Sequence, residues 1–85
     1  MIALYFYPEC FYCQKVIKVI RQLDLKEHKD IAYKLAYPGT EERKELVELG
    51  GMPQVPFIID GDVRMYESED IIRYLKKKFS PHQGG

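Results

Sequence analysis

Residues 7–13, Tyr7-Pro8-Glu9-Cys10-Phe11-Tyr12-Cys13, hold both cysteines of this chain of 85 residues. They lie between two patterns of different period. Upstream, Ile2, Leu4 and Phe6 alternate with Ala3, Tyr5 and Tyr7, the two-residue period of a strand. Both sets are apolar or aromatic, so the strand is expected in the middle of a sheet with helices over each face. Downstream, from about Phe11 to Leu23, Cys13, Val16, Ile17, Ile20 and Leu23 recur at helical spacing, with Lys15, Lys18, Arg21 and Gln22 on the other side. Pro8-Glu9 is the turn between them. The C-x-x-C pair therefore sits where a strand hands over to a helix.

That placement has chemical consequences. The open amides and the dipole of a helix N-terminus favour a thiolate at Cys10. Cysteines in such motifs fall in pKa from about 8.5 to roughly 3.5–7.5. Cys13 lies one turn further in, on the apolar face, within reach of an intramolecular disulfide. Position divides the labour: Cys10 attacks a disulfide and Cys13 resolves the mixed disulfide. Two plainer readings compete. A purely stabilising disulfide across so short a loop contributes only about 2 kcal/mol in the chain-entropy model. A zinc site needs four ligands, and His28 and His82 are remote from the pair. The redox reading is preferred.

Composition narrows the setting. Hydrophobic residues make up 46% and charged residues 31%, as in a folded soluble domain rather than a disordered chain. Thirteen Lys and Arg balance thirteen Asp and Glu, which gives no basic field for nucleic acid or an anionic membrane. No apolar run approaches the roughly 20 residues of a membrane span. The N-terminus has no basic leader, and Pro8-Glu9 cuts the apolar run short, so a cytoplasmic location is expected, where a cysteine pair serves catalysis more often than structure.

The rest of the chain supplies five further elements. Ile31 to Leu35 alternates as a second strand. Tyr37-Pro38-Gly39 ends it, and Thr40 is placed to cap a helix that runs to about Leu49 and stops at Gly50-Gly51, with a thin apolar stripe of Leu46, Val47 and Leu49. Val55 to Asp60 and Val63 to Tyr66 read as two strands of a hairpin around Asp60-Gly61-Asp62. Ser68 then caps a last helix carrying Ile71, Ile72, Leu75 and Phe79. Residues 1–79 form one domain, and 80–85 are a flexible tail. The order β-α-β-α-β-β-α predicts a parallel first pair of strands and an antiparallel hairpin.

With these elements in place, the chain resembles the glutaredoxins over essentially its whole length. Cys10-Phe11-Tyr12-Cys13 has the spacing and position of that family's Cys-Pro-Tyr-Cys motif, with Phe11 where proline is usual. The resemblance implies an α/β, thioredoxin-like fold with a four-stranded mixed sheet and three helices. It implies that the Val55-Pro56 bond is cis, which for an X-Pro bond costs only about 0.5–1 kcal/mol, and that Val55 offers its backbone to a peptide-like ligand. Glu67-Ser68 departs from the glutaredoxin Gly-Gly-x-x-Asp pattern and is similar to the Glu-Ser pair in the N-terminal domain of glutathione transferases, where the serine holds the γ-glutamyl carboxylate. A helix N-terminus with a hydroxyl suits that role. Glu69 or Asp70 is placed for the ligand's ammonium, and Arg43 for its glycyl carboxylate.

The function implied is a monomeric glutathione-disulfide oxidoreductase with catalytic Cys10 and Cys13. Glutathione, bound by Tyr12, Arg43, Val55, Pro56, Ser68 and Glu69, is the reductant, disulfide-containing or glutathionylated proteins are the partners, and no metal is required. Glutaredoxins operate near about −200 to −230 mV, within reach of a glutathione pool. Two alternatives stay open: recycling by thioredoxin reductase, and a glutathione-ligated [2Fe–2S] carrier, which the missing proline at Phe11 permits. A glutathione transferase is disfavoured because the chain ends before an all-helical second domain. Glu9, acidic where many glutaredoxins are basic, is expected to oppose the thiolate.

Overall fold

The strand Ile2–Phe6 (β1) is covered on both sides. Leu4 is fully buried and Tyr5 is 1% exposed, although successive side chains on a strand point to opposite faces. Ile2, Leu4 and Phe6 join Cys13, Val16, Ile20, Ile31, Ile71 and Leu75 in one core cluster, while Tyr5 joins Ala36, Leu46 and Phe57 in another. Burying one such side chain contributes about 1.5–3 kcal/mol, so β1 draws stability from two layers at once.

The computed structural model describes residues 1–79, and the expected tail 80–85 lies outside them. After β1 come α1 (Phe11–Gln22), β2 (Ile31–Leu35), α2 (Glu41–Gly50), β3 (Phe57–Asp60), β4 (Val63–Met65) and α3 (Ser68–Phe79). The sheet order is β2-β1-β3-β4, with β1 parallel to β2 and the other two pairings antiparallel. This is the thioredoxin-like α/β fold expected from the sequence. The helices α1 and α3 pack together over one face, and α2 covers the other through Leu46, its single buried residue. No helix among the described residues is long and apolar enough to cross a membrane.

The caps explain where α2 begins and ends. Thr40 Oγ1 accepts the Arg43 N–H at 3.1 Å, and Gly51 closes the helix at φ 93°, a left-handed conformation that glycine adopts without a Cβ penalty. Three expected boundaries shift. The third strand starts at Phe57 rather than Val55, because Val55 and Pro56 form a cis peptide ahead of the ladder. The fourth ends at Met65, since Tyr66 leaves it to pack its ring, tilted by 33°, on Phe57 at a centroid distance of 4.4 Å and to bond Met52. Ser68 is not a cap: the first bond of α3 runs from the Ile71 N–H to the Glu67 carbonyl at 3.0 Å, so Ser68 is already inside the helix.

Gly50 is required by packing rather than by its backbone angle. A Cβ there would overlap the Tyr66 hydroxyl and stand 2.7 Å from its Cζ and 2.9 Å from Phe57 Cε1. Alanine in a helix ordinarily gains about 1 kcal/mol over glycine. Overpacking costs about 1–3 kcal/mol, so the clash should win. Gly50→Ala is expected to lower stability in urea unfolding; an unchanged or higher midpoint would show that Tyr66 yields freely.

Candidate active site

Cys10 caps α1 from outside, in extended backbone (φ −76°, ψ 120°), and its Sγ accepts the Cys13 N–H at 3.3 Å. The sulfur therefore faces the open amides of the first turn, which favour negative charge. Cys10 is partly exposed, Cys13 is fully buried, and both are free thiols. Burial, then a hydrogen bond shared with Cys10, pushes the Cys13 thiol up to about 12, against smaller opposing effects of the Tyr7 backbone and the Arg43 charge. One sulfur is accessible and lies at a helix terminus, while the other is neutral and held in reserve.

Beside the helix that Cys10 caps lies a groove of about 410 Å³. Tyr12 and Lys15 of α1 form one wall, Gln54, Val55 and Pro56 the floor, and Glu67, Ser68 and Glu69 at the start of α3 the other wall. Five of the residues expected at the site, Tyr12, Val55, Pro56, Ser68 and Glu69, thus share one concavity. The Val55-Pro56 bond is cis, and neither backbone polar group of Val55 is paired with another backbone group among the described residues. Ser68 is 7% exposed, lines the groove, and its hydroxyl has no partner among the described residues. Glu67, with φ 70°, stands in the left-handed region that non-glycine residues seldom occupy.

Arg43 is not brought to the groove. Its Nε donates to the Ala36 carbonyl at 2.9 Å and its Nη1 to the Pro53 carbonyl at 3.0 Å. It ties Ala36, just beyond β2, to the loop before Pro56, so its guanidinium positions that loop. Tyr66 holds the same loop, donating to the Met52 carbonyl at 2.7 Å and accepting the Met52 N–H at 3.1 Å. Glu9 accepts the Tyr37 hydroxyl at 2.8 Å, and Tyr37 stacks on Tyr7 with ring centroids 5.3 Å apart. Its carboxylate is therefore engaged with the β2–α2 connection.

Lys15, Gln54 and Glu67 line the groove without having been picked out as site residues. A signal for Lys15 was present: it lies three residues after Tyr12 on α1, and residues at that spacing share a helix face. Its ammonium is bonded to Glu69 and lies 6.0 Å from the Tyr12 ring centroid. Gln54 Nε2 donates to Glu67 Oε1 at 3.4 Å, a long contact. Among the described residues no group of three or more His, Cys, Asp or Glu side chains is placed to hold a metal ion. His82 lies outside those residues.

Residues 4–83 match the family model for the glutathione S-transferase N-terminal domain. Among solved structures, a glutathione S-transferase from the Antarctic clam Laternula elliptica is 30% identical, with a TM-score of 0.78 over 94% of this chain and 36% of its own. Glutathione transferase Omega 3C from Trametes versicolor is 21% identical, with a TM-score of 0.81 over 95% of this chain and 34% of its own. An epsilon-class glutathione S-transferase from the housefly Musca domestica is 18% identical, with a TM-score of 0.79 over 95% and 36%. The chain thus spans about a third of the length of these proteins. No curated protein matches the sequence. The family shown is the transferase N-terminal domain, whereas the sequence had pointed first to glutaredoxins. The C-x-x-C pair and the Val55-Pro56 segment point there, and Glu67-Ser68 is the element that points to the transferases.

The two sulfurs should label differently. At about pH 8, iodoacetamide is expected to modify Cys10 in the folded protein and to spare Cys13, because the attacking species is the thiolate. Raising pH toward the raised Cys13 value, or unfolding, should bring Cys13 into reaction. Mass spectrometry of digested protein reads both sites; native modification of Cys13 as fast as Cys10 would contradict the burial.

Proposed function

Because this chain belongs to the glutathione S-transferase N-terminal-domain family, we propose that it binds glutathione in the groove beside the helix that Cys10 caps and works as a glutathione-dependent thiol–disulfide oxidoreductase. The observation that carries the proposal is the combination of a partly exposed Cys10 at a helix terminus with a groove that offers an unpaired Val55 backbone and an unpartnered Ser68 hydroxyl. These groups fit a γ-glutamyl peptide. The Val55 N–H and carbonyl suit an added strand, and Ser68 with the open amides of α3 suits a carboxylate. Glu67 supplies negative charge for an ammonium.

The chemistry follows from the sulfurs. Cys10 thiolate attacks the glutathione sulfur of a mixed disulfide; the new S–S bond forms as the old one breaks, and the substrate thiolate leaves and takes a proton. A second glutathione then attacks the Cys10–glutathione disulfide, releasing oxidised glutathione and restoring Cys10. With protein disulfides, Cys13 completes the exchange by attacking the mixed disulfide at Cys10. Its high pKa keeps it protonated until that step, so it must lose its proton as it reacts. The same dithiol is compatible with electrons from thioredoxin reductase. The groove favours glutathione, since it provides groups that dithiol exchange alone does not need. The substrates are glutathionylated or disulfide-bonded proteins.

Turnover of hydroxyethyl disulfide with glutathione and glutathione reductase is the test. Cys10→Ser should abolish it, a fall of at least about a thousandfold for loss of the nucleophile. Cys13→Ser should retain activity on glutathione mixed disulfides and lose it on protein disulfides. Absence of turnover with glutathione, alongside turnover with thioredoxin reductase, would reassign the reductant.

A further inference from the structure

An ion pair between Lys15 of α1 and Glu69 of α3 joins the two walls of the groove. We propose that Lys15 is the receptor for the α-carboxylate of the ligand's amino-acid end, and that Glu69 occupies its ammonium in the free protein and is displaced on binding. The inference rests on the glutathione reading and assigns the groups that recognise one end of that ligand.

Three features converge there. The Lys15 and Glu69 side chains are 38% and 64% exposed, and an ion pair this open to water exchanges partners readily. Ser68 lines the same groove, and its hydroxyl, with no hydrogen bond among the described residues, is open to a ligand there. The third is the N-terminus of α3, a helix of twelve residues whose open amides also favour an anion. A cation, a hydroxyl and open amides together describe a carboxylate site. The Glu69 side chain already stands against the cation of that set.

The neighbouring charges decide the direction of the effect. Asp70 is paired with Arg73 at 3.1 Å and makes no claim on Lys15. Glu67 faces the groove from the residue before α3 and is the carboxylate left for a ligand ammonium. An incoming carboxylate therefore competes with Glu69 for Lys15. The Tyr12 ring, 6.0 Å from the ammonium, keeps Lys15 over the groove during the exchange. If Glu69 instead received the ligand's ammonium, as its position in the sequence suggests, it would be a contact and not a competitor. Removing its charge then has the opposite sign in the two cases.

Calorimetric titration with S-methylglutathione, an unreactive probe, distinguishes them. The second probe is its analogue with 4-aminobutyryl in place of γ-glutamyl, which keeps the ammonium and lacks the α-carboxylate. Glu69→Gln is expected to tighten S-methylglutathione binding by about two- to fivefold, and Lys15→Met to weaken it about tenfold. Lys15→Met should leave the analogue within about twofold, and Lys15→Arg should retain affinity for the parent. Weaker binding by Glu69→Gln, or an equal loss for both probes in Lys15→Met, would overturn the assignment while leaving the glutathione reading intact. A wild-type protein that binds neither probe would overturn that reading and this one with it.

Discussion

The burial of β1 on both faces is the constraint from which the remaining architecture follows. A strand with Leu4 on one side and Tyr5 on the other, both excluded from water, cannot be satisfied by one layer. It needs α1 and α3 over the first face and α2 over the second. Once those helices are in place, the chain leaving β1 has only Tyr7, Pro8 and Glu9 in which to turn before α1 starts at Phe11. Cys10 is thereby delivered to the helix terminus, and Cys13, one turn on, to the core. The difference between an accessible and a buried sulfur is a product of packing, not of the cysteines themselves.

The groove depends on a second set of contacts, which act on the loop before β3. Arg43 holds Pro53 from α2, Tyr66 holds Met52 from beyond β4, and the Gln54 N–H donates to the Met52 carbonyl at 2.9 Å. Each hydrogen bond of this kind contributes only about 0.5–1.5 kcal/mol. Their joint effect is geometric, since they fix the segment that presents Val55. Gly50 belongs to this set because the Tyr66 ring can approach only where no Cβ intervenes.

The fold was readable in the sequence because its signals are local and periodic. The alternation in Ile2–Phe6, the helical spacing after Cys13 and the Asp60-Gly61 turn each state one element, and topology follows from their order. The site was readable in part. Residues 10–13 and the pair Val55-Pro56 stand out by composition, and Ser68 by its place before an apolar run. The bonds of Arg43 were not legible, because spacing along the chain does not reveal that two backbone carbonyls, of Ala36 and Pro53, converge on its guanidinium. Lys15 was passed over because its partner, Glu69, lies 54 residues away in sequence. The cap at Ser68 failed for a subtler reason: the left-handed turn at Glu67 moves the start of α3 by one residue.

That turn has a physical logic of its own. A non-glycine residue in the left-handed region costs of order 1–3 kcal/mol, and such conformations cluster at functional sites. A glycine at position 67 would remove the cost but would also remove a carboxylate from the groove wall. The turn also changes what Ser68 can do. As an N-cap, its hydroxyl would bind its own helix and face away from any ligand; as the first helical residue, Ser68 lines the groove with its hydroxyl uncommitted to the helix. Strain at one residue thus frees a donor at the next. The two neighbours Glu67 and Ser68 are best understood as one device, in which an unfavourable backbone angle keeps a carboxylate and a hydroxyl at the wall of the same groove.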